Sequence, residues 1–407
     1  MCNKKDDVIE SKIDFLSKKF IQDPFPVYNN LRDNDPVHRF LLPNGSFAWL
    51  ITRFQDASTL LKDSRLVTNY PVELDAKGEL APHQEIISRN LLSVNATDHR
   101  RLRRLVQKAF TPRMIENLRE RIEAIACELL DKVQAKDKRE INLIEDYAFP
   151  LPIIVICEML GVPLKDQDDF REWSNIIMEG FSNPELSKQT EEAMISFVNY
   201  LKTLIAERRM DLKKDLISDL LRVEDEGDVL SEQELYALVF VLIIAGHETT
   251  VNLIGNGILA LLEHPEQKEK LLSQPQHIHS TIEEILRYNG PAEVSNARFA
   301  TEDLMVAGKQ IKKGEMVFIA LSSANRDSEE FIEPDSFDIT REANNHLAFG
   351  KGVHFCLGAP LARLEGEIAI SSLLERMPNL KLSTEKDSIE WRPGIIIRGT
   401  KEIPLTF

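Results

Sequence analysis

The longest apolar stretch of the chain predicts one helix that crosses the whole core. Ser231-x-x-Glu234 is a capping-box pattern, and apolar residues then recur at helical spacing until His264, where Pro265 follows. About 30 residues at roughly 1.5 Å each make a helix of roughly 45 Å, which is far longer than most globular helices. The uninterrupted apolar run at 235–246 is only 12 residues long. Because a bilayer span needs roughly 20 apolar residues, a buried core helix is the favoured interpretation.

The remaining periodicity predicts a mainly α protein with small β-sheets. Apolar residues recur every three or four positions through much of 97–290 and 359–377, whereas short alternating segments cover about 35–55 and 294–320. No Gly/Ser-rich linker separates these parts. We therefore expect residues 1–407 to form a single domain with a β-rich part and a helical part.

Two local patterns refine this picture. Pro43-Asn44-Gly45, between two apolar alternating runs, predicts a β-hairpin. Residues 67–95 contain Pro71 and Gly78 and show little periodicity. A loop of this length inside a compact domain is usually functional, so we expect it to border a ligand site.

Composition excludes several classes of protein. Lys and Arg number 50 against 66 Asp and Glu, a net charge of −16, which disfavours general binding of nucleic acid or of anionic membranes. The N-terminal residues lack the apolar region of a signal peptide or a membrane anchor, so a cytoplasmic location is expected. The four cysteines include no short-spaced pair, which argues against a disulfide framework and a cysteine-rich zinc module. Cys127 and Cys157 are predicted to be small buried apolar residues.

The segment FGKGVHFCLG at 349–358 is the most informative in the chain. Cys356 stands just before a predicted helix that starts at Ala359, where free N–H groups and the helix dipole favour an anion such as a thiolate. A single thiolate without clustered His or Cys does not suit structural zinc, but it suits a haem iron held by one axial sulfur. The alternative is that Cys356 is another buried apolar side chain.

Taken with three other motifs, this segment resembles the haem-binding loop of the cytochromes P-450. A basic helix, the AGHETT sequence at 245–250, an E-x-x-R helix and the cysteine loop follow in the order found in that family, and the similarity covers nearly the whole chain. The resemblance implies the cytochrome P-450 fold, with haem b between the long central helix and the loop and helix that carry Cys356. It implies Cys356 as the axial thiolate and metal ligand, with N–H groups after it donating to the sulfur.

The same resemblance implies a set of haem-binding residues. Haem carries two carboxylates, so cations are expected to converge on them, and His99 and Arg103 share one helix face because they are four residues apart. Arg298 and His354 are the candidates from the later part of the chain. The full expected set of cofactor-binding residues is His99, Arg103, Ala245, Gly246, Arg298, Phe349, Gly350, His354, Cys356 and Gly358.

Glu248 and Thr249 are predicted to be catalytic. They place an acid and a hydroxyl in the middle of an apolar helix, which is costly unless both have partners. The Thr249 hydroxyl can bond back to the Ala245 carbonyl four residues earlier. The resemblance implies that Thr249 holds dioxygen and its waters, while Glu248 passes protons towards them. The alternative is a polar break that only faces a neighbouring helix.

Three further groups of residues follow from the resemblance. A buried structural set is expected from Glu284, Arg287 and Arg341. A largely apolar substrate pocket is expected from Leu242, Ala245, Val294, Ile395 and Ile396. A basic docking face for an acidic redox protein is expected from Arg100, Arg104, Lys108, Arg113 and Lys351.

The function implied is that of a haem-dependent monooxygenase. Such an enzyme inserts one oxygen atom of O2 into a C–H bond of a lipophilic small molecule, here polyketide-like, macrolide-like or fatty acyl, because the chain most resembles the soluble Bacillus and actinomycete hydroxylases of the family. No flavin or iron–sulfur module is recognisable, so electrons are expected from a separate ferredoxin or flavodoxin with its reductase, and a monomer is expected. The alternatives are a peroxide-driven haem enzyme and a non-catalytic protein that binds haem or a lipophile.

Overall fold

A computed structural model describes residues 13–42, 45–68, 90–182, 187–225 and 227–407. Within these ranges the structure is mainly helical. The helices are α1 (Lys18–Gln22), α2 (Phe25–Asn34), α3 (Phe54–Leu60), α4 (Ala96–Ala109), α5 (Pro112–Glu116), α6 (Arg119–Gln134), α7 (Pro150–Leu160), α8 (Gln167–Ser182), α9 (Ser187–Met210), α10 (Leu216–Arg222), α11 (Glu232–Glu263), α12 (Pro265–Ser273), α13 (Ile278–Asn289), α14 (Leu321–Ala324) and α15 (Ala359–Arg376). A π-helical turn, Ile144–Ala148, leads into α7.

The strands are short and form small sheets. They are β1 (Val37–Leu41), β2 (Phe47–Ile51), β3 (Leu66–Val67), β4 (Glu140–Asn142), β5 (Glu224–Asp225), β6 (Asp228–Val229), β7 (Arg298–Ala300), β8 (Leu304–Val306), β9 (Lys309–Ile311), β10 (Met316–Ile319), β11 (Lys381–Leu382) and β12 (Pro404–Thr406). The largest described sheet has the order β1-β2-β10-β7-β3, and a second has the order β11-β12-β4. The β-rich parts predicted at 35–55 and 294–320 thus meet in one sheet.

The central helix α11 has the extent that the sequence predicts. Its capping box is complete, because the Ser231 hydroxyl accepts from the Glu234 N–H at 3.3 Å and the Glu234 carboxylate accepts from the Ser231 N–H at 2.8 Å. The helix ends where the His264 N–H donates to the Ala260 carbonyl and Pro265 starts the next helix. It packs against α7, α13 and α15 and is buried on nearly every side.

In the described part of the chain, α11 is the one helix long and apolar enough to cross a membrane. However, 67% of its most apolar window is buried inside the protein, as in the core helix of a globular domain. Arg101 of α4 also forms ion pairs with Glu234 at the start of α11 and with Asp228. These contacts fix the N-terminal end of the helix against the protein surface.

The predicted hairpin is formed by β1 and β2, which pair antiparallel from Val37 opposite Ile51 to Leu41 opposite Phe47. Positions 43 and 44 of its turn lie outside the described residues. β2 pairs parallel with β10, and β10 pairs antiparallel with β7, so the sheet carries Arg298 of β7 towards the interior. Of the long loop predicted at 67–95, residues 69–89 lie outside the described residues.

The helical periodicity of 112–135 corresponds to two helices, because α5 starts after the Thr111 cap and ends at Glu116, and the chain turns before α6. One expectation about this segment is wrong. Cys127 is exposed, since the buried face of α6 is formed by Ile122, Ile125, Ala126 and the apolar residues that follow at helical spacing, and position 127 lies off that face. Cys157 is buried, as predicted.

The Glu284 carboxylate lies at the centre of a buried network that joins α13 to the irregular segment before the cysteine loop. It accepts two hydrogen bonds of 2.8 Å from Arg287, one of 3.1 Å from Arg341 and one of 3.1 Å from Asn344. The Arg287 guanidinium also donates to the carbonyls of Asn325, Pro334 and Ser336. The structure therefore brings together the three residues expected to form a structural set, and it satisfies their charges with hydrogen bonds.

Glu284→Ala should destabilise the protein by about 3–5 kcal/mol, because it leaves Arg287 as a buried charge without its carboxylate. Urea unfolding monitored by circular dichroism measures the loss. The matched control is Asp219→Ala, which breaks an Asp219–Arg222 pair of the same i, i+3 spacing that is about half exposed. It should change the unfolding midpoint little. Equal losses in the two variants would contradict a special role for the buried network.

Candidate active site

A cavity of about 1950 Å³ lies between the middle of α11, the cysteine loop and the large sheet. Its volume exceeds the usual range for sites that bind one drug-sized molecule, so it has room for a large cofactor and a substrate together. Ala245 is exposed to it in the middle of an otherwise buried helix. Gly246 also borders it, and a Cβ there would lie 3.3 Å from Ile156 of α7. A side chain at 246 would therefore press on the end of the Ile156 side chain.

The cysteine loop is held in its shape by its glycines. Gly350 and Gly352 have φ of +70° and +78°, which only glycine adopts without strain. The turn lets the Cys356 N–H donate to the Phe349 carbonyl at 2.9 Å. The sulfur then faces the cavity one turn before α15 begins.

Burial dominates the electrostatics of the Cys356 sulfur. It raises the pKa of the thiol, while the N–H groups of Gly358 and Ala359 and the charge of Arg103 lower it without offsetting the effect of burial. The N–H groups at the start of the helix thus act in the predicted direction, but burial outweighs them in the structure without a cofactor. The N–H groups do point at the sulfur as predicted, but a cation in contact with the sulfur is needed to hold the anion.

On α11, the hydroxyl of Thr249 donates to the Ala245 carbonyl at 2.8 Å, as the sequence predicts. The next residue repeats the pattern, since the Thr250 hydroxyl donates to the Gly246 carbonyl at 3.0 Å. Both hydroxyls keep acceptor lone pairs after donating. Thr249 lines the cavity, so its oxygen is placed to accept a hydrogen bond from a small molecule there.

Glu248 is half-buried and pairs with Arg392, whose guanidinium donates to its carboxylate at 3.3 Å. Burial raises the pKa of Glu248, and the charge and hydrogen bond of Arg392 hold part of that rise back. Sequence reasoning missed Arg392, which lies 144 residues from its partner. The one feature of the sequence that could have pointed to Arg392 is its position in Trp-Arg-Pro-Gly, directly before the apolar run expected to line the pocket.

Glu365 is a second residue that sequence reasoning missed. It lies fully buried on α15, borders the cavity, and has a pKa raised to about 8, chiefly by burial. A sequence signal exists, because position 365 falls on the apolar face of α15, together with Leu361, Leu364 and Ile368. An acid on such a face is either paired or protonated.

The four cations expected for the cofactor carboxylates converge at one edge of the cavity. His99 and Arg103 come from α4, Arg298 from β7 and His354 from the cysteine loop, and all four line the cavity. The rings of His99 and His354 are 4.3 Å apart. Burial and the three neighbouring cations lower the pKa of His354 to about 4. The pKa values of His99, Arg103 and Arg298 are also lowered, mainly by burial.

These cations fit a cofactor that carries carboxylates. His99 is only 2% exposed, and its Nδ1 has no hydrogen-bond partner in the described structure. Among the described residues no carboxylate pairs with Arg103 or Arg298, and the recorded hydrogen bond of Arg298 is to the Leu61 carbonyl at 3.3 Å. The arginines require anionic partners, and the two histidine rings can donate N–H groups to the same partner. The lone sulfur, the wide cavity and the cation cluster together match the donors that haem requires.

The remaining residues predicted to line a substrate pocket also border the cavity: Leu242, Val294, Ile395 and Ile396. Val294 is buried beside Ala320, whereas Ile396 is 45% exposed, so it lies towards the mouth. The walls formed by these side chains are apolar, which suits a lipophilic molecule.

The expected basic face is only partly formed. Arg100, Arg104, Lys108 and Arg113 are all exposed on α4 and α5. Lys351 is half-buried instead, because its ammonium donates to the Ser58 hydroxyl of α3 at 2.8 Å. The expectation that Lys351 belongs to this surface is therefore corrected.

The chain is similar to known proteins over most of its length. The Cytochrome P-450 family profile matches residues 51–407. A cytochrome P-450 of Bacillus subtilis is 44% identical, and the match covers 99% of each chain. The structure of PksS, the cytochrome P-450 of the Bacillus subtilis bacillaene polyketide synthase, superposes with a TM-score of 0.90 at 43% identity, covering 97% of this chain and 99% of that one.

A further structure shows the cytochrome P-450 BioI in complex with acyl carrier protein ligated to hexadec-9Z-enoic acid. It superposes with a TM-score of 0.88 at 38% identity, covering 96% of this chain and 100% of that one. Both the family match and these relatives span almost the full chain. The chain therefore belongs to the cytochrome P-450 family, whose members are haem enzymes with a cysteine thiolate ligand.

Proposed function

We propose that this chain is a haem-thiolate monooxygenase with Cys356 as the axial ligand and with Glu248 and Thr249 at the oxygen site. The observation that carries the proposal is the Cys356 sulfur, which faces a cavity that Thr249 borders from α11, with two arginines and two histidines together at its edge. When bound, haem supplies the activation of O2 that lets one oxygen atom enter a C–H bond. The residues of the chain hold the cofactor, position the substrate and control protons and water.

Each part of the cavity has a separate role. The N–H groups of Gly358 and Ala359 donate to the Cys356 sulfur and fix its direction, and His99, Arg103, Arg298 and His354 would hold the carboxylates of a bound haem. On α11, Thr249 keeps its hydroxyl hydrogen on the Ala245 carbonyl, so its oxygen accepts a hydrogen bond from a water in the site. Thr249 thereby orders the water from which protons are drawn.

Glu248 serves as the group that moves protons into the site. Because its pKa is raised, Glu248 is protonated to a larger fraction near neutral pH than an exposed glutamate. Its pairing with Arg392 also links it to the pocket-lining residues Ile395 and Ile396, which follow Arg392 in the chain. A side chain between the pocket wall and the oxygen-site helix is well placed to carry a proton inwards.

The substrate is proposed to be a lipophilic polyketide-like, macrolide-like or fatty acyl molecule. The apolar side chains along the cavity support this class, and so do the relatives, of which PksS belongs to a polyketide synthase and BioI holds an acyl chain on a carrier protein. Electrons are proposed to come from a ferredoxin or flavodoxin and its reductase. Arg100, Arg104, Lys108 and Arg113 form the exposed basic face that such an acidic protein would approach.

Cys356→Ser should abolish the red-shifted carbon monoxide band of the ferrous protein, because an alcohol oxygen does not replace a thiolate as axial donor. The absorbance of the reduced, carbon monoxide-treated protein measures this. Cys127→Ser is the control, since that thiol is exposed on α6 and should leave the band unchanged. A band that survives in Cys356→Ser would remove the ligand assignment.

Thr249→Ala should retain the haem but lower the ratio of product formed to reductant consumed several-fold, with electrons diverted to hydrogen peroxide. The hydroxyl that orders water in the site is lost, so protons no longer arrive in step with electrons. Peroxide and product are measured with a known substrate of the family. Thr249→Ser keeps the hydroxyl and should couple normally, whereas equal coupling in Thr249→Ala and wild type would refute the role.

Arg392→Gln should shift the high-pH limb of product coupling to higher pH. Without the Arg392 charge, burial raises the pKa of Glu248 further, so its protonated form persists at higher pH. The pH profile of the product-to-reductant ratio measures the shift. Lys401→Gln is the control, because Lys401 also borders the cavity but pairs with Glu390 at 2.7 Å. The same profile for Arg392→Gln and wild type would separate Arg392 from proton delivery.

A further inference from the structure

Four residues behind the cysteine loop form a connected group outside the cavity chemistry described above. Glu283 of α13 accepts from Arg363 of α15 in a two-point pair, with Nε and Nη2 at 2.6 and 2.8 Å from its two oxygens. His346 Nε2 lies 3.2 Å from the same carboxylate. The Arg363 guanidinium in turn lies 4.6 Å from the centre of the Phe349 ring. We call Glu283, Arg363, His346 and Phe349 the Glu283 network.

The charges in this network are fixed by their hydrogen bonds. The Ala348 N–H donates to His346 Nδ1 at 3.2 Å, so Nδ1 is the acceptor and Nε2 carries the proton that goes to Glu283. Burial raises the pKa of Glu283, but the hydrogen bonds from Arg363 and His346 outweigh it and bring that pKa to about 2. Glu283 is therefore ionised, and one negative charge balances the one positive charge of Arg363.

The network also contacts the segment that holds the sulfur. Phe349, on whose ring Arg363 lies, accepts the backbone N–H of Cys356 at 2.9 Å through its carbonyl. Arg363 lies on α15, the helix that begins three residues after Cys356. The side chain of Arg363 is 26% exposed and that of Glu283 is 18% exposed, so water screens the pair only in part. A change in either charge is thus felt at the sulfur.

We propose that Glu283 and Arg363 are positioning residues that set how strongly the Cys356 thiolate donates to the haem iron, and hence the reduction potential of the iron. The inference rests on the proposed haem-thiolate function. Arg363, stacked on Phe349, favours the more electron-rich ferrous state by its charge, and Glu283 cancels most of that effect while it holds the guanidinium against the ring. The intact pair keeps the local charge close to neutral, and loss of one partner unbalances it.

The two single variants should shift the potential in opposite directions. Glu283→Gln leaves Arg363 uncompensated, so the ferrous form should be favoured several-fold at a fixed potential. Arg363→Gln leaves a carboxylate that His346 still bonds, so the ferric form should be favoured instead. The double variant should return close to wild type, because it removes both charges. Spectroelectrochemical titration of the haem-loaded protein at pH 8 measures the potentials, and the position of the ferrous carbon monoxide band gives a second readout.

Glu367→Gln is the matched control. It also removes one carboxylate charge, from α15 one turn after Arg363, but Glu367 pairs with His279, which is 69% exposed, so the potential should change less than in Glu283→Gln. Shifts of the same sign in both single variants would indicate loosened packing and overturn the proposal. An unchanged potential in Arg363→Gln would also overturn it, because the Arg363 side chain is 26% exposed and its replacement leaves the core closed. A wild-type protein without the red-shifted band would instead refute the haem-thiolate assignment itself, so the two failures are distinguishable.

Discussion

The central helix α11 is buried along nearly its whole length, and the polar groups of its middle turn are held by bonds inside the protein, which shapes the site. Glu248 takes Arg392, and Thr249 and Thr250 bond back to carbonyls of the preceding turn. Ala245 opens the helix to the cavity at the level of these groups. Buried polar groups of this kind are costly unless they are bonded, and their concentration in one turn beside the cavity is the feature on which the proposed oxygen site rests.

What the sequence predicted correctly depends on short separations along the chain. The extent of α11 follows from its capping box and from Pro265, and the Thr249 contact to Ala245 spans four residues. Both are local consequences of helix geometry. The position of Cys356 in the loop before α15 is likewise set by neighbouring glycines. Such features need no knowledge of the tertiary fold.

The features that the sequence did not reveal are of two kinds. Some are contacts between residues far apart in the chain, and others depend on which face of a helix packs against the rest of the protein. The Glu248–Arg392 pair spans 144 residues, and nothing near either residue indicates the other. Lys351 was expected on the surface, but α3 supplies a hydroxyl that binds it. Cys127 looked apolar by its neighbours, but helix rotation places it on the outer face of α6. The sequence shows clearly that the segment is helical. Whether one residue at the edge of the apolar stripe is buried depends on which neighbouring elements pack there.

Glu283 and Glu284 show how two adjacent acids on one helix serve different purposes. Successive helix positions differ by about 100°, so the two carboxylates leave α13 in different directions. Glu284 turns into the interior, where Arg287, Arg341 and Asn344 saturate it and fix the irregular segment before the cysteine loop. Glu283 turns towards α15 and meets a guanidinium that lies on the ring next to that loop. Glu284 therefore helps to hold the segment that leads into the loop. Glu283 pairs with the positive charge of Arg363 beside the loop.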